Sequence, residues 1–176
     1  RSCLKHADFV CIGEGEDALK DLVLSLRDGK DYQKISNLWI KQNGRHQRNP
    51  LRPLIQNLDS VPFPAYARES FYFIGSNKIT RKDEAIDDPI LATMPARGCP
   101  FSCSYCVNSL LRPLYRDLGA FNRRRSPANV ISEIKEILAI PGNKKELIEF
   151  HDENFGTDAA WLSEFESLYP KEIGLP

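Results

Sequence analysis

The chain reads as an α/β protein, and two observations carry that reading. An apolar run ends at a glycine and passes directly into an amphipathic helix over residues 7–29, and strand, helix and strand patterns alternate again between residues 90 and 150. A third observation marks where function sits. Three of the five cysteines, Cys99, Cys103 and Cys106, fall within eight residues at the spacing C-x₃-C-x₂-C.

The first apolar run, Ala7 to Ile12, has the length and character of a buried parallel strand. It breaks at Gly13-Glu14-Gly15-Glu16. Leu19, Leu22, Val23 and Leu26 then recur at i, i+3, i+4 and i+7, the apolar face of a helix. Glu14, Glu16 and Asp17 suit the positive end of its dipole, and Gly29 stands where a C′ glycine belongs. Gly13, Gly15 and Ala18 also match the dinucleotide pattern G-x-G-x-x-A. The three carboxylates argue against it, because they would repel a pyrophosphate at that helix terminus.

Residues 31–89 are less regular. Ile35 to Ile40 followed by Asn43-Gly44 predicts a hairpin, and Phe71 to Ile74 a further strand. Pro50, Pro53, Pro62 and Pro64 interrupt regular elements, and the charged stretch Lys78 to Asp88 reads as a solvated loop. Ile90 to Pro95 is the strand that leads into the cysteines. Asn108 to Arg125 is basic and irregular; its run Arg123-Arg124-Arg125 reads as a structural feature rather than a nucleic-acid patch. Ser126 and Pro127 are N-cap and N1 of a helix whose face is Val130, Ile131, Ile134, Ile137 and Leu138, ended by Pro141-Gly142. Leu147 to Phe150 is a strand. The polar loop His151-Asp152-Glu153-Asn154-Phe155 after it offers Asp152 and Glu153 as site residues, or as caps of the helix through Trp161 and Phe165.

Thiolates are soft ligands that select iron–sulfur clusters, Cu(I) or zinc. Three of them do not close a four-ligand site. On a cubane cluster they leave one iron open to a substrate or cofactor. A zinc reading needs a fourth donor, and none of His6, His46 and His151 stands at finger-like spacing. A disulfide reading leaves an odd cysteine and needs an oxidising compartment.

Composition sets the outer bounds. The 176 residues are 41% hydrophobic and 27% charged, enough for a core in one or two domains. Basic and acidic residues balance at 24 each, which argues against nucleic acid or membrane as partner. No signal peptide and no apolar run of membrane-spanning length is visible, so the expected location is cytoplasmic. The chain starts at Arg1, and its first apolar segment reads as the middle of a fold. An excerpt of a longer protein is expected.

The stretch Ala96-Arg97-Gly98-Cys99-Pro100-Phe101-Ser102-Cys103-Ser104-Tyr105-Cys106 resembles the cluster loop of the radical S-adenosylmethionine superfamily, and its lead-in resembles members with an N-terminal cobalamin-binding domain. The resemblance implies a 4Fe–4S cluster on Cys99, Cys103 and Cys106, with S-adenosylmethionine on the fourth iron and Tyr105 in the cofactor pocket. It implies that Asp152 and Glu153 help bind the amino group of S-adenosylmethionine. Residues 8–26 resemble the last strand and helix of the cobalamin-binding domain, without its Asp-x-His-x-x-Gly motif, so cobalamin is implied only for the full-length protein. Leu58 to Pro64 resembles the tract joining the two domains.

The implied fold is the end of a doubly wound cobalamin-type domain (residues 1–30), a linker with a hairpin (31–89), and the first part of a TIM-like (β/α) barrel (90–176). A full barrel takes roughly 250 residues. The implied activity is that of a radical enzyme, cobalamin-dependent methyl transfer included, reduced by a flavodoxin- or ferredoxin-type protein. The excerpt alone is expected to be inactive. No catalytic side chain and no substrate is assigned. The rival class is a non-catalytic module holding structural zinc or an electron-transfer cluster.

Overall fold

The computed structural model describes residues 3–42, 44–66, 71–81 and 84–176. In chain order its elements are β1 (Phe9–Cys11), α1 (Glu16–Arg27), β2 (Leu38–Gln42), β3 (Arg45–Arg48), β4 (Tyr72–Gly75), β5 (Lys78–Arg81), α2 (Glu84–Asp87), β6 (Ile90–Thr93), β7 (Ala96–Arg97), α3 (Asn108–Leu114), β8 (Arg123–Arg124), α4 (Pro127–Leu138), β9 (Leu147–Phe150) and α5 (Ala159–Glu172). They form two compact units. One is Arg1–Gln56 with Ser102–Phe121; the other is Asn57–Phe101 with Asn122–Pro176.

In the first unit β1, β2 and β3 make an antiparallel sheet in that order. The expected hairpin is present, with Gln42 opposite Arg45 and Gly44 at φ +74°. Asn43, the other half of the predicted turn, lies outside the described residues. Leu38 and Ile40 point from β2 onto Ala18 and Leu22 of α1. Two expectations are corrected here. The first strand pairs antiparallel with β2 and is half-buried at best, because apolarity alone does not distinguish a parallel from an antiparallel neighbour. The helix packs through Ala18 and Leu22, while Leu19, Val23 and Leu26 are 61%, 54% and 53% exposed. The apolar stripe is wider than the face this sheet covers.

Residues 38–48 complete the sheet that residue 9 begins, and this compact unit includes the chain up to Gln56. Further on, the predicted strand near Phe71 pairs with β5 as a second hairpin, turned by Ser76 and Asn77 at φ +48° and +60°. The stretch 78–88 is therefore not a plain loop: it holds β5, α2 and the buried Ile86.

The second unit contains the strand–helix–strand repeat. β6 and β9 pair in parallel, Ile90 opposite Leu147 and Thr93 opposite Phe150, with α4 on the connection between them. Parallel strands need such a crossover. α4 starts as predicted, with the Ser126 side chain accepting the Asn129 N–H at 3.1 Å and Pro127 in the first turn. Leu91, Ile148, Val130, Ile131, Ile134, Ile137, Trp161 and Phe165 form one core.

A buried ion pair crosses this core's edge. Arg125 Nη1 meets Glu133 Oε2 at 2.5 Å, with the two side chains only 12% and 6% exposed. Thr93 Oγ1 donates to the same carboxylate at 3.1 Å, and Arg125 Nε donates to Asn129 Oδ1 at 2.6 Å. Removing one partner strands the other charge. Glu133→Ala should therefore lower the unfolding free energy by about 3–5 kcal/mol in a urea titration, and a loss under about 1 kcal/mol would show the pair to be hydrated.

Candidate functional site

The predicted site residues lie on the loops that follow the C-terminal ends of β6 and β9. Beyond Thr93 the chain passes through Met94 and Pro95 into β7, which pairs with β8, Ala96 opposite Arg124 and Arg97 opposite Arg123. Gly98 then turns at φ +78°, a conformation that favours glycine, and Cys99 comes next, half-buried. The boundary between the two units falls between Phe101 and Ser102, so Cys99 belongs to one unit and Cys103 and Cys106 to the other. A tight turn carries these two, the Cys106 N–H donating to Cys103 O at 3.0 Å. Ser109 then donates to Cys106 O through both its N–H and its Oγ as α3 begins. The segment read as irregular thus contains a helix.

Tyr105 stands beside the pair, 91% exposed. A hydrogen bond with Cys103, and then the electrostatic effect of that side chain, push its phenol above the ordinary tyrosine range. Cys103 is exposed and Cys106 half-buried. Cys3 and Cys11 are also free thiols.

Among the described residues no three His, Cys, Asp or Glu side chains are grouped as ligands of one metal ion.

Asp152 comes two residues after β9. The His151 N–H donates to Thr93 O at 2.9 Å, which carries the β6–β9 ladder one residue further and fixes the backbone before Asp152. Asp152 Oδ1 accepts the Ala96 N–H at 2.8 Å; Oδ2 is buried with no partner. Burial pushes this carboxyl above the usual carboxylate range and the neighbouring Glu153 charge adds to that, while the Ala96 hydrogen bond and the Arg124 charge oppose it. Glu153 is exposed. Neither acid caps α5: Asp158 does, accepting the Trp161 N–H at 3.0 Å. His151 faces Glu149 at 2.9 Å on the surface.

The three arginines hold structure together, as expected. Arg125 anchors the buried pair. Arg124 lies over Trp161 at 4.9 Å and donates to Thr157 Oγ1 at 3.1 Å. Arg123 is buried and, with Arg124, Pro100, Asn122 and Thr157, lines a cleft of about 550 Å³. Nothing local in the sequence marks Thr93 and Glu133 as the partners of Arg125; the acid-to-base spacing of eight residues spans a cap and two helical turns.

The glycine turn before α1 has no room for a phosphate. A Cβ on Gly13, at φ +85°, would lie 1.8 Å from the Tyr115 hydroxyl oxygen. Glu14 Oε2 accepts the Ile55 N–H at 2.8 Å, and Glu14 O accepts from Asn37 at 2.9 Å. The turn packs chain against chain, which is the physical answer to the dinucleotide pattern.

No protein-family profile matches the chain. It is 37% identical over 148 residues, 84% of its length, to an uncharacterized methyltransferase of Pyrococcus horikoshii, and it spans 28% of that protein. Among solved structures it resembles OxsB, a cobalamin-dependent S-adenosylmethionine radical enzyme with aqua-cobalamin and S-adenosylmethionine bound. That match has TM-score 0.60 at 18% identity, over 93% of this chain and 21% of the other. It also resembles TsrM of Kitasatospora setae, a radical S-adenosylmethionine methyltransferase with tryptophan substrate and a cofactor analogue bound. Here the TM-score is 0.57 at 18% identity, over 90% of this chain and 28% of TsrM. TsrM with cobalamin and a [4Fe-4S] cluster bound matches at TM-score 0.50 and 16% identity, over 90% of this chain and 29% of that one. The chain therefore spans well under a third of each of these proteins.

The packed turn makes a measurable demand. Gly13→Ala forces a left-handed alanine and displaces a buried tyrosine, so it should destabilise the protein by about 2 kcal/mol or more in chemical denaturation. Unchanged stability would mean that Tyr115 swings away freely and that the turn is open.

Proposed function

We propose that the chain belongs to the radical S-adenosylmethionine superfamily, among members that carry a cobalamin-type domain, and that it forms the cluster-binding part of a radical enzyme; the cysteine loop and the likeness to the methyltransferase, TsrM and OxsB support this reading. The single observation that carries the proposal is the run of Cys99, Cys103 and Cys106 at the spacing C-x₃-C-x₂-C, set after the end of the parallel strand β6. With a 4Fe–4S cluster and S-adenosylmethionine bound, the site would supply one-electron cleavage of the sulfonium that starts radical chemistry.

The chain's own residues do the holding. The three cysteines bind as thiolates and leave one coordination position to the cofactor. Tyr105, beside Cys103, offers a flat aromatic face to the cofactor. Asp152, whose buried Oδ2 has no hydrogen-bond partner, is our candidate acceptor for the amino group, and exposed Glu153 adds negative charge beside it. For the complete protein we propose methyl transfer with cobalamin, a flavodoxin- or ferredoxin-type reductant, and a cytoplasmic setting. Among the described residues no helix is long and apolar enough to cross a membrane. Among the described residues one parallel pair of strands is present, too few to enclose an active site, so residues 1–176 alone should not turn over S-adenosylmethionine above a protein-free control.

Anaerobic reconstitution tests the cluster. The protein should take up four irons and show a broad visible absorbance, and Cys103→Ala should abolish it; wild-type cluster content in that variant would sink the reading. S-Adenosylmethionine added to the reduced protein should alter the cluster's electron paramagnetic resonance signal. A charged hydrogen bond is worth roughly 1.5–3 kcal/mol, so replacing both Asp152 and Glu153 by Ala should weaken that binding about 10- to 150-fold. Unchanged affinity would reduce the site to its cysteines.

A further inference from the structure

We infer that Asp152 is a positioning residue for the cysteine loop, its carboxylate latching the stem of that loop through the Ala96 N–H. The inference rests on Cys99 being a cluster ligand. It concerns Oδ1, the oxygen that the ammonium reading does not use.

The stem is weak by itself. β7 is two residues long and meets a β8 of two residues, too short a ladder to stand alone. Two further bonds secure it. The Arg125 N–H donates to Pro95 O at 2.8 Å, and Asp152 Oδ1 accepts from Ala96 at 2.8 Å across 56 residues of sequence. Ala96 is 3% exposed, so its N–H has no water to fall back on if the carboxylate is removed. Asp152 is itself fixed by the His151-to-Thr93 bond that extends the parallel ladder. The register of the two barrel-type strands is thereby transmitted to a point three residues before Cys99. A loosened Ala96 lets Gly98 and Cys99 wander, and a thiolate that wanders releases its iron faster.

The test separates hydrogen-bond acceptance from charge. Anaerobically reconstituted protein is challenged with an iron chelator and cluster loss is followed by visible absorbance. Amide exchange at Ala96 is measured in the same proteins without iron. Asp152→Ala should lose the cluster about tenfold faster, the equivalent of about 1.4 kcal/mol, with a similar acceleration of Ala96 exchange. Asp152→Asn keeps an oxygen acceptor and should stay within about twofold of wild type on both readouts, even where its affinity for S-adenosylmethionine falls. Wild-type rates in Asp152→Ala would overturn the latch, as would an Asn variant as fast as the Ala variant. If Asp152→Ala does not fold but Asp152→Asn does, the restored acceptor makes the same point in its favour. Should the wild-type protein take up no cluster, the proposed function fails, and Ala96 exchange still decides the latch.

Discussion

The second unit depends on one buried charge pair. Arg125 and Glu133 sit at the margin of a core of valine, isoleucine, tryptophan and phenylalanine, where an unpaired charge is strongly unfavourable. Every polar contact around them is consequently directional. Thr93 donates to the carboxylate from the end of β6, Asn129 holds the guanidinium from α4, and the Phe63 ring lies 5.3 Å beneath it. The Trp161 indole of α5 donates to the Arg125 carbonyl at 2.7 Å, and the Arg125 N–H donates to Pro95. A non-directional apolar core tolerates sliding; this junction does not. It sets where β6 ends, and the cysteine loop begins there.

The loop after β9 is held by stacking instead. Phe150 and Phe155 stack at 5.0 Å, and Phe155 packs edge-on against Trp161 at 5.6 Å, so the loop that bears Asp152 and Glu153 is clasped at both ends by rings. A loop so short between stacked aromatics has little freedom, which keeps the Asp152 carboxylate directed at Ala96 with one oxygen left over. In the first unit the chain after the cysteines is secured differently. The Leu54 N–H donates to Leu118 O at 2.7 Å, the Ala120 N–H to Gln56 Oε1 at 3.0 Å, and Tyr115 fills the hollow over Gly13. The short stretch from Cys99 to Cys106 thus starts in one compact unit and ends in the other.

Much was legible in the residues alone. The cysteine spacing, the soft-ligand chemistry and the shortfall of one ligand need no coordinates, because they are covalent and compositional facts. The Ser126–Pro127 helix start, the strand at Leu147 and the hairpin at Gly44 are set by interactions within a few residues, so local pattern suffices to find them. The alternation of strand, helix and strand after residue 90 is legible for the same reason.

What the tertiary structure alone decided lies at long sequence separation. Asp152 finds Ala96 across 56 residues, Glu14 finds Ile55 across 41 and Thr93 finds Glu133 across 40, and no periodicity encodes such pairs. The cap of α5 went to Asp158 because the chain first closes a loop around Phe155. Which flank of α1 is buried was likewise undecidable from its stripe of leucines: the helix period says that a face is apolar, and only the position of β2 says which residues of that face meet a sheet.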